Sequence, residues 1–137
     1  MRRSLTLLAA LCLILVSAGC NLSYNTTPTP SPFSIRFQSP AADSVIAEQT
    51  PLEIILVAED SIGTGIARVD LLLDDMLYQQ GTPVDAAAVP VFSVKMNWTA
   101  QGLGLHALSA IAYREDGTAT SPTTIRLLVG PAQTPNT

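Results

Sequence analysis

The segment LEIILVAE, residues 52–59, decides the fold class of this chain. Its first, third, fifth and seventh residues are all apolar, and both glutamates fall on the alternate positions. Because successive side chains of a β-strand point to opposite faces, this pattern predicts a strand with one face in a hydrophobic core. Further along the chain, no window keeps the 3.6-residue apolar period of a helix over helical length.

Similar short runs rich in Val, Ile and Leu recur on both sides of this segment, between clusters of Pro, Gly and Asp. We predict strands over residues 33–38, 66–73, 91–98, 105–113 and 123–129, shorter pieces at 45–48 and 76–80, and a loop at 81–90. Such spacing is typical of an immunoglobulin-like (Ig-like) β-sandwich. The predicted fold is therefore all-β, with about seven antiparallel strands over residues 33–130.

The same alternation assigns the core of the sandwich. Trp98, Leu56, Leu71 and Leu108 fall on the inward faces of their strands. We predict that all four are buried between the two sheets.

Several short motifs resemble the bacterial Ig-like domains of surface and secreted proteins. They are Ser39-Pro40, Ala58-Glu59-Asp60, the segment GIARVD at 65–70, Trp98, the segment GLHALSAIA at 104–112, and Asp116-Gly117. Such domains commonly end the penultimate strand with Ala-x-Asp, whereas this chain has Ala112-Tyr113-Arg114. The resemblance implies the sandwich fold, and Arg114 argues against calcium binding at that corner.

The first 19 residues have the pattern of a signal peptide. Arg2 and Arg3 supply a positive start, and the next apolar stretch is too short to span a bilayer comfortably. Ser17-Ala18-Gly19-Cys20 resembles the lipobox of bacterial lipoproteins, although the usual leucine is replaced by Ser17. The resemblance implies that Cys20 is diacylated and becomes the first mature residue. The alternative is an ordinary secretory signal that leaves a free thiol at Cys20.

Residues 20–32 end in a stretch rich in Pro, Thr and Ser, which predicts a disordered tether, and residues 131–137 predict a disordered tail. The predicted location is a cell membrane, lipid-anchored, with the domain on the extracytoplasmic side.

Charge and cysteine content exclude several functions. Outside the leader, five basic residues face eleven acidic ones, a net charge of −6, which excludes electrostatic binding of nucleic acid. The two cysteines, Cys12 and Cys20, both precede the domain, so the domain has no disulfide, thiol nucleophile or cysteine-ligated metal.

The residues that could carry chemistry are few. His106 is the only histidine, and its neighbours do not indicate a catalytic triad, so we predict a structural or exposed side chain and no enzyme or cofactor. Carboxylates at predicted turns could hold calcium only if the fold brought them together: Asp60, Asp74, Asp75, Glu115 and Asp116. Tyr78 and Tyr113 alone make a poor platform for glycans.

An interface is predicted from the apolar residues left on outward positions. In an Ig-like sandwich the third, sixth and seventh strands lie side by side. Their outward apolar residues are Leu72, Ile111, Tyr113 and Leu128. We predict one patch with Tyr113 as its anchor, bordered by Arg68, Asp70 and Arg126, for a protein partner or for self-association. The alternative is that loop 81–90 covers these residues.

These observations together predict a non-catalytic, lipid-anchored Ig-like module that acts in binding, in adhesion or as a spacer at the cell surface. The alternative is an accessory ligand- or calcium-binding module of a cell-envelope enzyme or transporter assembly.

Overall fold

The computed structural model describes residues 32–85 and 87–132. The predicted leader, Cys20, residues 20–31 of the predicted tether and residues 133–137 of the predicted tail lie outside the described residues. The described part contains eight strands: β1 (Phe33–Ser39), β2 (Ser44–Ala47), β3 (Pro51–Asp60), β4 (Arg68–Leu73), β5 (Met76–Gly81), β6 (Val91–Thr99), β7 (Gly104–Tyr113) and β8 (Thr123–Gly130).

The strands form two sheets that pack face to face. One has the order β1-β3-β6 and the other the order β2-β8-β7-β4-β5. The predicted all-β Ig-like sandwich is confirmed, and so is the adjacency of the third, sixth and seventh strands of the predicted set, which are β4, β7 and β8.

One part of the strand prediction is wrong. The short piece near residue 45 is an eighth strand, and it runs parallel to β8, whereas all strands were predicted to be antiparallel. The parallel ladder begins where the N–H of Asp43 donates to the carbonyl oxygen of Arg126 at 2.7 Å. Asp43 has a φ of 60°, a left-handed conformation that redirects the chain between β1 and β2.

The core lies between the two sheets. Leu56, Leu71 and Leu108 are completely buried, and Trp98 is 3% exposed, so the predicted core residues are confirmed. Burial of such side chains is the main stabilising contribution in a domain that has no disulfide.

The strand register defines the two ends of the sandwich, which we call the entry pole and the exit pole. At the entry pole the chain enters β1 at Phe33, which pairs with Asp60. At the exit pole β8 ends at Gly130, beside the start of β7 and the turn between β4 and β5. The chain therefore enters and leaves the domain at opposite ends. Within residues 32–85 and 87–132, no helix has the length and hydropathy needed to cross a membrane.

Candidate binding surface and charged clusters

The predicted interface residues all lie on the outer face of the five-stranded sheet, but they do not form one patch. Leu72 and Ile111 are on adjacent strands, because Asp70 pairs with Ile111 and Leu72 pairs with Ser109. Tyr113 follows on the same face of β7. Ile111 therefore lies between the other two, because Tyr113 pairs with Arg68, four residues from Leu72 along β4.

Leu128 lies elsewhere, and the prediction of a single patch is wrong. It pairs with Leu105, six residues along β7 from Ile111, which corresponds to a separation of about 20 Å at roughly 3.4 Å per residue. Its exposed neighbours are Val45 and Leu105 instead, which are 69% and 72% exposed. Alternation identified the correct face, but it carries no information on register.

Strand β5 supplies two apolar residues that the sequence did not assign to the interface. Leu77 pairs with Leu72, and Tyr78 follows as the extra residue of an irregularity in the β4–β5 pairing. Leu77 is 57% exposed and Tyr78 is 43% exposed. The β4–β5 patch, as we name it, consists of Leu72, Leu77, Tyr78, Ile111 and Tyr113.

The border of the β4–β5 patch is held by charged and polar side chains. The guanidinium of Arg68 lies over the ring of Tyr113, 4.2 Å from its centroid, and Arg68 Nε is 2.9 Å from Asp70 Oδ1. Gln80 Nε2 donates to the same carboxylate oxygen at 3.0 Å. The stacked guanidinium of Arg68 restrains the Tyr113 ring, so less conformational freedom remains to be lost on binding.

The end of loop 81–90 is held at the entry pole, the end of the sandwich at which Tyr113 of the patch pairs with Arg68. The backbone of Val89 pairs with Ile66, and the carbonyl oxygen of Pro90 accepts the N–H of Asp60. Both contacts are at the entry pole.

At the entry pole a buried carboxylate is held by an arginine. Arg114 donates from Nε to Asp60 Oδ2 and from Nη2 to Asp60 Oδ1, both at 2.8 Å. The N–H groups of Gly63 and Gly65 donate to the same two oxygens. Arg114, followed by these N–H groups, holds the pKa of Asp60 well below its usual range. The arrangement joins β3, the loop after it and the end of β7.

This pair makes a prediction about acid stability. Arg114→Leu leaves the Asp60 carboxylate without its cation, so we expect a lower free energy of unfolding at neutral pH. Because the folded pKa of Asp60 is depressed, the contribution of the pair is complete above the unfolded pKa of about 3.9 and is lost progressively as pH falls from there through the lower folded pKa. Urea denaturation of the wild type and the variant should give a larger difference at pH 7 than near pH 2.

The control for this prediction is the exposed pair of Arg36 and Glu59, whose side chains are 58% and 48% exposed. Arg36→Leu should change stability little at either pH, because exposed ion pairs contribute weakly. An equal loss for Arg114→Leu at both pH values would contradict the assigned role of Asp60.

At the exit pole the single histidine is held by two acceptors. His106 Nδ1 lies 2.7 Å from Asp74 Oδ2, and its Nε2 lies 2.7 Å from the carbonyl oxygen of Gly102. The ring also meets Trp98 edge-on, with centroids 5.5 Å apart. Asp74, then Gly102, raise the pKa of His106. Burial opposes ionisation of Asp74, but the N–H of Ala107 and the His106 ring outweigh it and lower the pKa of Asp74.

The hydrogen bonds and positions of His106 and the turn carboxylates bear on the catalysis and calcium binding that the sequence analysis considered for them. Both ring nitrogens of His106 face structural acceptors, which is the structural role that the sequence predicted. The turn carboxylates are split between the poles, with Asp74 at the exit pole and Asp60 and Asp116 at the entry pole. Among the described residues, no group of three or more His, Cys, Asp or Glu side chains could hold a metal ion.

A cavity of about 420 Å³ opens beside β1, lined in part by Phe33, Ile35, Thr120 and Thr123. Two of its polar side chains form hydrogen bonds within the fold. Thr120 Oγ1 accepts the N–H of Ala112, and Thr123 Oγ1 donates to the carbonyl oxygen of Ile35. The cavity lining contains no charged side chain.

The two sheets, their strand order and the core define the class of this protein as an Ig-like β-sandwich module. Fibronectin(III)-like modules of CbhA from Clostridium thermocellum are similar to it, with 28% sequence identity and a TM-score of 0.60 over 73% of this chain and 100% of that chain. No protein-family model matches the sequence, and no curated protein matches it.

Two more distant structures share the fold. The CARDB domain of PF1109 from Pyrococcus furiosus is 14% identical, with a TM-score of 0.54 over 72% of this chain and 94% of that one. An endo-beta-1,4-mannanase from Thermotoga petrophila is 14% identical, with a TM-score of 0.53 over 78% of this chain and 22% of the mannanase. The CARDB and mannanase similarities show the fold alone, and the fibronectin(III)-like similarity supports a non-catalytic Ig-like module.

Proposed function

We propose that this chain is a non-catalytic, lipid-anchored Ig-like module that binds a protein partner on the extracytoplasmic side of a membrane. The observation that carries the binding function is the β4–β5 patch, an apolar surface with a fixed aromatic residue and a polar border. The anchor is proposed from the leader, which ends in the lipobox-like Ser17-Ala18-Gly19-Cys20.

The position of the chain entry is compatible with such an anchor. Phe33 begins β1 at the entry pole, and Cys20 precedes it by 13 residues. A segment of that length with a proline-rich end spans on the order of 20–40 Å, at roughly 3.1 Å per residue where it is extended. The entry pole would therefore lie nearest to the membrane, and the outer face of the five-stranded sheet would remain accessible from the side.

The composition of the β4–β5 patch supports a protein partner. Leu77 and Tyr78 are 57% and 43% exposed, and Leu77 pairs with Leu72 on the neighbouring strand. Contiguous apolar surface with a polar border is the arrangement found in protein interfaces, where tyrosine and arginine often contribute most of the affinity. Arg68 stacked on Tyr113 places those two residue types together at the edge.

A spacer is the second candidate function, and the two poles favour it. The chain enters at Phe33 and leaves at Gly130, at opposite ends of the sandwich. This geometry places whatever precedes and follows the domain a full strand length apart. A spacer would need no partner at the β4–β5 patch.

The double variant Ile111→Ser, Tyr113→Lys tests the binding function. We expect at least a tenfold loss of self-association or partner capture, because the aromatic anchor is removed and a charge is introduced. The melting temperature should remain nearly unchanged, since both side chains point away from the core. Sedimentation of the purified chain measures self-association, and crosslinking in intact membranes measures partner capture.

The double variant Leu105→Ser, Leu128→Ser is the matched control. It removes exposed apolar side chains from the same face, but at the exit pole. Binding should survive in this control. Unaltered binding in the Ile111 and Tyr113 variant, or unfolding of that variant, would contradict the assignment of the interface. Absence of any association in all the proteins would favour the spacer.

A further inference from the structure

We infer that His106 is an imidazolium cation in the folded domain. Its second ring N–H holds the turn between β6 and β7 by a hydrogen bond, and the turn is released when the ring becomes neutral. This inference does not depend on the proposed function.

The inference rests on the hydrogen-bond donors and acceptors of the His106 ring. A neutral imidazole has one N–H donor and one nitrogen lone pair, whereas the imidazolium has two N–H donors. Both ring nitrogens of His106 lie 2.7 Å from oxygen atoms that can only accept, the Asp74 carboxylate and the Gly102 carbonyl. Only the imidazolium can donate to both. A neutral ring would direct a lone pair at an oxygen lone pair at one of the two contacts.

The surroundings identify which contact is lost. Asp74 is ionised and fixed, because its Oδ1 accepts the N–H of Ala107 at 2.8 Å, and its own N–H donates to the carbonyl oxygen of Ala107 at 2.8 Å. A charged acceptor forms a stronger hydrogen bond than a neutral carbonyl. The neutral ring should therefore keep its proton on Nδ1, facing Asp74. The Nε2 lone pair would then repel the Gly102 carbonyl.

The charged groups around the ring come from three elements. Asp74, in the turn after β4, favours the imidazolium. Glu48, after β2, accepts the N–H of Gly102 at 3.3 Å and places a second carboxylate beside the same turn. Arg126 of β8 lines a cavity of about 170 Å³ together with His106 and Asp74, and its positive charge opposes protonation. Trp98 of β6 contributes an uncharged ring edge.

The segment that responds is the turn of residues 100–103. Gly102 has a φ of 82°, a conformation suited to glycine, and Leu103 is 63% exposed at the exit pole. Since folding stabilises the protonated ring, its contribution is complete below the unfolded pKa of about 6.5 and is lost as pH rises through the higher folded pKa. The turn is therefore released as pH rises through the folded pKa of His106, which Asp74 raises above its usual value.

Nuclear magnetic resonance of the full-length chain, labelled with nitrogen-15 and purified in detergent micelles, tests this inference. At pH 6 both ring nitrogens of the single histidine should be protonated. The titration midpoint should lie above 6.5, and the backbone signals of Gly102 and Leu103 should shift with the same midpoint. Above the midpoint the proton should stay on Nδ1, although Nε2 is the usual site in free histidine.

Two variants complete the test. Asp74→Asn keeps the shape of the acceptor and removes its charge, so the midpoint should fall toward that of free histidine. His106→Gln should make the signals of Gly102 and Leu103 independent of pH between 6 and 9. A single protonated ring nitrogen at pH 6, a neutral form protonated on Nε2, or turn signals that do not follow the ring would overturn the inference.

Discussion

Trp98→Ala should cost about 3–5 kcal/mol of unfolding free energy. Trp98 is 3% exposed, pairs with Leu52 across the β3–β6 ladder and meets the ring of His106 edge-on. Removing the indole leaves a cavity that the two sheets cannot close completely. Small domains have a total stability of roughly 5–15 kcal/mol, so the variant should be close to unfolding. Urea denaturation followed by circular dichroism measures the loss.

Val91→Ala, on the same strand, is the control for this prediction. Val91 is 59% exposed, and substitutions at such positions usually change stability by less than about 0.5 kcal/mol. A loss below about 1 kcal/mol for Trp98→Ala would mean that Trp98 is not a core residue.

The alternation of apolar residues was sufficient to predict the inward faces of the long strands. Leu56, Leu71, Leu108 and Trp98 follow it, because one face of each strand must pack against the opposite sheet. Leu72, Ile111, Tyr113 and Leu128 were likewise placed on the correct outer face by the same argument.

Register and strand direction could not be predicted, because they depend on residues far apart in sequence. Leu128 lies opposite Leu105 and not near Ile111, and nothing local to either segment indicates this. Tyr78 is the extra residue of an irregularity in the pairing of β4 and β5. The pattern of residues 76–80 alone indicated only a short edge strand.

The charged clusters were partly visible in the sequence. Arg114 departs from the Ala-x-Asp pattern, and this departure marked the position as unusual. Its partner Asp60 could not be identified from the sequence, because it is 54 residues away. His106 and Asp74 are 32 residues apart, with no local motif that links them.

Val57 is 7% exposed, although it lies on the outer face of its sheet. Arg36 lies opposite Val57 in the β1–β3 pairing, and its side chain reaches toward Glu59. A long side chain that covers an apolar neighbour cannot be read from alternation.

The second large effect is expected at Cys20. If Cys20 carries the lipid, Cys20→Ala removes the acceptor thiol, and the protein should not be acylated. We expect the wild type almost entirely in the washed membrane fraction, and the variant lost from it or retained only as an unprocessed precursor. Each acyl chain contributes roughly 0.8 kcal/mol per buried methylene, and two chains give stable anchoring. Fractionation followed by immunoblotting measures the distribution.

Cys12→Ala is the matched control, because it removes the other cysteine of the leader and leaves Ser17-Ala18-Gly19-Cys20 intact. This variant should be distributed like the wild type. A Cys20→Ala protein of mature size that remains in the washed membrane fraction would show that something other than the lipid holds it there.

The most direct test of a lipid-anchored module is mass spectrometry of the native protein extracted from membranes. We predict that the mature chain begins at Cys20, with a mass increase that corresponds to a diacylglyceryl group, and that the N-terminal peptide partitions into the organic phase. An intact N-terminus at Met1, or a mature form with an unmodified thiol at Cys20, would contradict the proposal.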